Sequence, residues 1–243
     1  MARVVIAGSV ATPSTDKPCL PTKDKRLTQQ SVFETIGRYG VVPVVAIDSV
    51  EAALPLADAL IEGGLPIAEI TFRTAAAAEV IGLLSERRPE LLLGAGTVLS
   101  IENLQAASDC GARFGVAPGL NPEIVAAAED LGLPFVPGVA TASDIECGLS
   151  MGCKLLKFFP AEVAGGIKMI KALAGPYGHT GVRFLPTGGV TAENLAAYLS
   201  LDAVAGVGGT WVAKRDDLAK GNWTEITGRC REIAKIVAKV RGS

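Results

Sequence analysis

From residue 42 onward, short apolar runs alternate with amphipathic stretches, one pair about every 22–27 residues. The runs lie at 42–47, 67–72, 91–96, 113–117, 134–139, 155–160, 183–187 and 203–207. They are nearly continuous in apolar character rather than alternating. That is the pattern of strands buried on both faces and paired in parallel. Ala/Leu periodicity between them predicts helices over 50–61, 74–87, 100–110, 141–151, 166–173 and 191–199, with a last helical stretch over 216–240 broken near Gly221-Asn222. Stop signals agree with these limits: Gly63-Gly64, Pro89, Gly111 and Gly152 each close a periodic segment. Ser100 with Asn103 reads as a weak capping box, and Asn121-Pro122 opens a helix ending at Leu131-Gly132. A further helix over 28–39 precedes the first strand, with Val32, Ile36 and Tyr39 on one face.

Eight strand–helix units in a chain of 243 residues predict an α/β fold, a closed (β/α)8 TIM barrel with an N-terminal helix, over 28–243. An open doubly wound sheet is the structural alternative. No G-x-G-x-x-G follows the first strand, and Gly94-Ala95-Gly96 lacks both the third glycine and the helix spacing of a dinucleotide site. Residues 1–27, with Pro13, Pro18 and Pro21 among polar residues, read as a flexible extension; a processed leader or an upstream start are the alternatives.

Composition narrows the function. Hydrophobic residues make up 49% of the chain, enough for a sizeable core, and a net charge of −2 gives no electrostatic case for nucleic acid. No apolar run approaches the roughly 20 residues of a membrane span. Five scattered cysteines without C-x-x-C spacing suit a reducing cytosol and a role as small core filler. With a single histidine, His179, and no cysteine pair, a zinc site is not expected, nor is any other metal or cofactor.

Candidate chemistry gathers at the ends of strands, where barrels carry their active sites. In the sixth run Lys157 sits among Leu155, Leu156, Phe158 and Phe159. A lysine there either snorkels to water from a strand end or is buried as the neutral amine that Schiff-base chemistry needs. Lys154, at the strand entrance, is the more natural snorkeller. The second run ends with Glu69, Thr71 and Arg73 on one face. Glu69 and Arg73 read either as a structural ion pair or as a proton carrier beside a bidentate anion clamp. Thr97 follows the third run and offers a hydroxyl. Glycine pairs Gly188-Gly189 and Gly208-Gly209 follow the seventh and eighth runs, the usual place for a barrel phosphate site built from backbone N–H groups.

Six motifs, in order, resemble the 2-keto-3-deoxy-6-phosphogluconate (KDPG) / 2-keto-4-hydroxyglutarate (KHG) aldolases, a class I family. They are Glu69-Ile70-Thr71-Phe72-Arg73-Thr74, Gly94-Ala95-Gly96-Thr97-Val98, Pro118-Gly119-Leu120, Lys157-Phe158-Phe159-Pro160-Ala161-Glu162, Pro186-Thr187-Gly188-Gly189 and Gly208-Gly209-Thr210-Trp211. The resemblance covers roughly residues 28–240. It implies Lys157 as the Schiff-base lysine, Glu69 as proton shuttle, and Arg73 with Thr97 on the pyruvyl carboxylate. It also implies Gly188, Gly189, Gly209 and Thr210 at the phosphate, and Thr187 in stereochemical choice. A keto-acid substrate, a homotrimer and a cytoplasmic location are implied with them. Two departures stand out: Ala46 replaces an arginine that helps some relatives bind phosphate, and Ala117 replaces a common serine. The first bears on substrate preference. A related 2-keto-3-deoxy sugar acid aldolase, a barrel isomerase or synthase sharing only the phosphate loops, and a non-catalytic phosphosugar-binding barrel are the rival readings.

Overall fold

The computed structural model describes residues 28–242; the extension expected over 1–27 lies outside the described residues. Strands β1 (Val41–Val45), β2 (Ile67–Thr71), β3 (Leu92–Gly96), β4 (Phe114–Val116) and β5 (Phe135–Val136) lie side by side in parallel, and β9 (Val207–Gly209) pairs with the other edge of β1. A second parallel run holds β6 (Gly138–Val139), β7 (Leu155–Phe158) and β8 (Arg183–Phe184).

The two runs form one ring. β5 and β6 are halves of a single strand interrupted at Pro137, which has no N–H to give to the ladder. Its carbonyl still accepts from the Lys157 N–H at 2.8 Å, so the break leaves β7 in place. At the other seam, parallel bridges join Phe184 to Val204 and Thr187 to Gly208, next to β9. The closed barrel therefore has eight strand positions, as expected, although one is split in two.

Helices α2 (Ala53–Glu62), α3 (Ala77–Arg87), α4 (Ile101–Asp109), α5 (Pro122–Asp130), α6 (Ala142–Ser150), α7 (Gly166–Tyr177) and α8 (Ala192–Leu199) follow successive strands. After β9 come a short α9 (Arg215–Lys220) and α10 (Trp223–Arg241), divided at Gly221, whose φ of 68° suits glycine. α10 packs on α2 and α8 and closes the outer layer, while α1 (Gln29–Tyr39) leads into β1. The Ser100 hydroxyl accepts from the Asn103 N–H as expected. A full reciprocal box forms at Thr141 and Asp144, which the periodicity did not single out.

Several boundaries differ from expectation by a few residues; three of them bear on the site or its frame. The predicted helix at 74–87 begins at Ala77; the Thr74 hydroxyl donates to the Ile47 carbonyl at 2.6 Å and ties the preceding turn to the segment that follows β1. α7 runs four residues beyond Leu173, to Tyr177. The eighth strand, expected over 203–207, is displaced forward to Val207–Gly209. Its register against β1 is Val41–Val207, Val42–Gly208 and Pro43–Gly209, so these glycines belong to the sheet and not to the loop. The absent side chains are what make this possible. A Cβ on Gly208 would lie 2.3 Å from the Thr187 hydroxyl, and one on Gly209 would lie 2.2 Å from the Trp211 ring.

Candidate active site

All four residues of β7 are buried, Lys157 among them at 5% exposure. Its partner is a residue 88 positions earlier: Nζ lies 3.2 Å from Oε1 of Glu69, which is fully buried in β2. Burying two charges is expensive unless they meet with good geometry. Here the pairing is incomplete, because Glu69 Oε2 is buried without a hydrogen-bond partner. A carboxylate oxygen left as an unused acceptor inside a barrel is a group ready to take or give a proton to something bound there. Gly96 makes room for it: a Cβ at that position would stand 2.1 Å from Glu69 Oε1. The Lys157 ammonium also lies 5.8 Å from the centre of the half-buried Phe159 ring, within cation–π range. Lys154, three residues earlier, is exposed and reaches the Thr180 carbonyl at 3.4 Å, as a snorkelling lysine should. Of the two expectations for Glu69, the ion pair forms with Lys157 and not with Arg73.

Arg73 is exposed just beyond β2. Its Nε–H donates to the Thr71 hydroxyl at 3.1 Å, and that hydroxyl donates to the Val45 carbonyl at 3.0 Å. Fully buried Thr71 thus fixes one edge of the guanidinium and leaves the two terminal nitrogens for a ligand. The sequence placed Thr71 on this face without giving it a task; an i, i+2 hydroxyl–guanidinium pair is the signal that was available. Thr97 follows β3 with φ 55°, the one described non-glycine residue at positive φ. For a β-branched residue this backbone costs on the order of 1–3 kcal/mol. Ladder bonds on either side hold it there: Phe72 N–H to Gly96 O at 2.8 Å and Val98 N–H to Val116 O at 3.1 Å.

The glycine-rich ends differ from each other. Gly188 (φ 96°) and Gly189 (φ 82°) form a true left-handed turn between β8 and α8. Gly209 closes β9, and the exposed Thr210 follows it. Thr187 is buried at the seam beside Gly208. The fold thus places Lys157 and Glu69 in contact within the barrel wall. Arg73, Thr97, Thr187, Gly188, Gly189, Gly209 and Thr210 stand at or just beyond the C-terminal ends of their strands.

Of the described cysteines, Cys153 and Cys230 are core filler, and burial pushes the Cys153 thiol up and the Cys230 thiol up to about 12; Cys110 and Cys147 are only half-buried, and Cys19 lies outside the described residues. Among the described residues no group of three or more His, Cys, Asp or Glu side chains gathers as a metal site, and no helix is long and apolar enough to cross a membrane.

Comparison with known proteins points the same way. The family model for KDPG and KHG aldolase matches residues 32–229. A 2-dehydro-3-deoxy-phosphogluconate aldolase of Haemophilus influenzae is 45% identical over 210 residues, spanning 86% of this chain and 98% of its own. The KHG/KDPG aldolase of Escherichia coli K12 is 41% identical over 195 residues, covering 80% of this chain and 91% of its own. Among solved structures, a KDPG aldolase from Legionella pneumophila with pyruvate captured as a covalent carbinolamine superposes with a TM-score of 0.80 at 40% identity, covering 85% of this chain and 98% of that one.

The buried pair makes a prediction independent of activity. Glu69→Met keeps the volume and leaves a buried ammonium without its partner, so the protein should lose about 3–5 kcal/mol. Adding Lys157→Met should recover most of that loss in equilibrium denaturation. Simply additive losses in the double variant would show that the two charges do not depend on each other.

Proposed function

The chain belongs to the KDPG and KHG aldolase family and is a class I aldolase, and from that premise we propose that Lys157 forms its Schiff base and Glu69 carries its protons. The observation that supports the assignment is the 3.2 Å contact between a lysine and a carboxylate, both buried in the barrel wall. With a proton passed to Glu69, Lys157 Nζ attacks the C2 carbonyl of a 2-keto acid. Glu69 returns the proton to the carbinolamine hydroxyl, which leaves as water, and the protonated imine remains. Glu69, again a carboxylate, takes the C4 hydroxyl proton, and C3–C4 breaks. The electron pair moves into the imine, the aldehyde departs and an enamine is left. Protonation at C3 and hydrolysis release pyruvate and restore the amine. The imine nitrogen is the electron sink throughout, so the electrons balance with side chains alone.

In this reading Arg73 presents its free terminal nitrogens to the pyruvyl carboxylate beside Thr97. Gly188, Gly189, Gly209 and Thr210 take the phosphate, and Thr187, buried between the lysine strand and the glycine turn, bears on the C4 stereochemistry. The substrate is KDPG, giving pyruvate and glyceraldehyde 3-phosphate, or KHG, giving pyruvate and glyoxylate. Ala46, half-buried directly after β1, brings no cation to the phosphate. The left-handed Gly188-Gly189 turn favours the phosphorylated substrate. A homotrimer in the cytoplasm completes the reading. Leu99 (59% exposed) lines a hollow with Val98, Leu120 and Ile124, and the exposed Ile101 (48%) follows two residues later in the chain, an apolar surface suited to a second copy of the chain.

Incubation with pyruvate and borohydride should add one pyruvyl-derived group per chain, mapped to Lys157 and absent from Lys157→Ala. Label on Lys154, or turnover in Lys157→Ala, would refute the assignment. In a substrate panel, kcat/KM for KDPG should exceed that for KHG by at least about tenfold, a margin of about 1.4 kcal/mol; the reverse order would remove the phosphate site from the proposal. By light scattering, Leu99→Glu with Ile101→Glu should convert trimers to monomers, whereas trimers that persist would place the interface elsewhere.

A further inference from the structure

Glu162 ends the lysine motif, yet no step of the reaction uses it. It lies five residues beyond Lys157, where the chain leaves β7, and it is bound to the proposed anion turn in two ways. Its backbone N–H donates to the Gly188 carbonyl at 3.0 Å. Its side-chain stem lies where Gly189 has no side chain: a Cβ on Gly189 would come within 2.6 Å of both Cβ and Cγ of Glu162. Glu162 is exposed, and this stem carries its carboxylate beside the turn. An unrestrained negative charge there would oppose a phosphate.

The structure restrains it. The hydroxyl of Tyr198, a fully buried residue of α8, donates a short hydrogen bond to Glu162 Oε1. Gly166, the first residue of α7, leaves room for this meeting, since a Cβ there would lie 3.1 Å from both oxygens. The carboxylate is thereby drawn toward the N-terminus of α7, where a negative charge is favoured. Burial and the neighbouring carboxylate both push the Tyr198 hydroxyl well above the usual tyrosine range, so the donor keeps its proton at any working pH.

We propose that Tyr198 and Glu162 form a positioning latch that holds the Glu162 carboxylate off the Gly188-Gly189 turn and so sets the enzyme's preference for phosphorylated keto acids. The inference rests on the reading of that turn as the phosphate site. Neither residue touches the reacting carbons. The latch acts on the end of the substrate that tells a phosphorylated keto acid from a dicarboxylic one.

The test is a double-mutant series on the full chain, below the melting temperature of every variant. Tyr198→Phe should raise KM for KDPG about tenfold and weaken inhibition by inorganic phosphate to a similar degree. Borohydride trapping of pyruvate and the KM for a keto acid without phosphate should stay near wild type. Adding Glu162→Gln removes the freed charge and should restore phosphate inhibition. A purely structural tyrosine would lower stability and affect both substrates alike, and Glu162→Gln would rescue neither. Equal changes for the two substrates, an unchanged KM for KDPG, or no rescue would each overturn the latch. If inorganic phosphate fails to inhibit the wild type, the phosphate site itself is wrong and the latch falls with it. The wild-type control therefore separates the two failures.

Discussion

The buried meeting of Lys157 with Glu69 is the constraint around which the rest of the barrel is arranged. A charged pair in an apolar wall is a poor source of stability by itself. It survives because β2 and β7, far apart in sequence, are locked into one ring by parallel ladders on both sides. The same ring explains Pro137. A strand that omits one donor still delivers its carbonyl to the Lys157 backbone, so the lysine's register is held while the strand itself is broken. Nothing local to Lys157-Phe158-Phe159 would keep the amine in a dry wall. The opposite strand does so.

Several glycines are the complement of side chains at the proposed site. Gly96 gives Glu69 its space, Gly208 gives Thr187 its space, and Gly189 is overlain by the stem of Glu162. Of these only Gly189 also needs its positive φ. At Gly96 and Gly208 the requirement is volume alone, which accounts for glycine inside β3 and β9, where it would otherwise weaken a strand. Arg73 and Thr97 are held by a different device, hydrogen bonds to neighbouring strands. These fix the guanidinium edge at Thr71 and force Thr97 into a costly backbone conformation. Precision at this site comes from neighbours and absent atoms more than from the proposed reactive residues themselves.

Much of this was legible in the chain. Continuous apolar runs at regular spacing pointed to parallel strands and their number, because burial on both faces leaves no polar alternation, and eight units in this length favoured a barrel over the open sheet. Lys157 stood out because a lysine is rarely buried without a partner, and Glu69 because a carboxylate in such a run needs one. The motif order carried the family. Helix stops at glycine and proline were readable because those residues act through their own backbone. What the sequence left open was who meets whom. Glu69 and Arg73 are four apart and were expected on one strand face, yet Arg73 lies beyond β2 and the ion pair goes to a lysine 88 residues away, a choice made only when the ring closes. The Gly208-Gly209 pair has the composition of a loop and lies in the sheet, because Thr187 and Trp211 occupy its side-chain space. The hold of Tyr198 on Glu162 spans 36 residues and two elements, and no local pattern announces it. Local chemistry and periodicity were written along the chain; partnership depends on distances between elements, and those exist only once the barrel is closed.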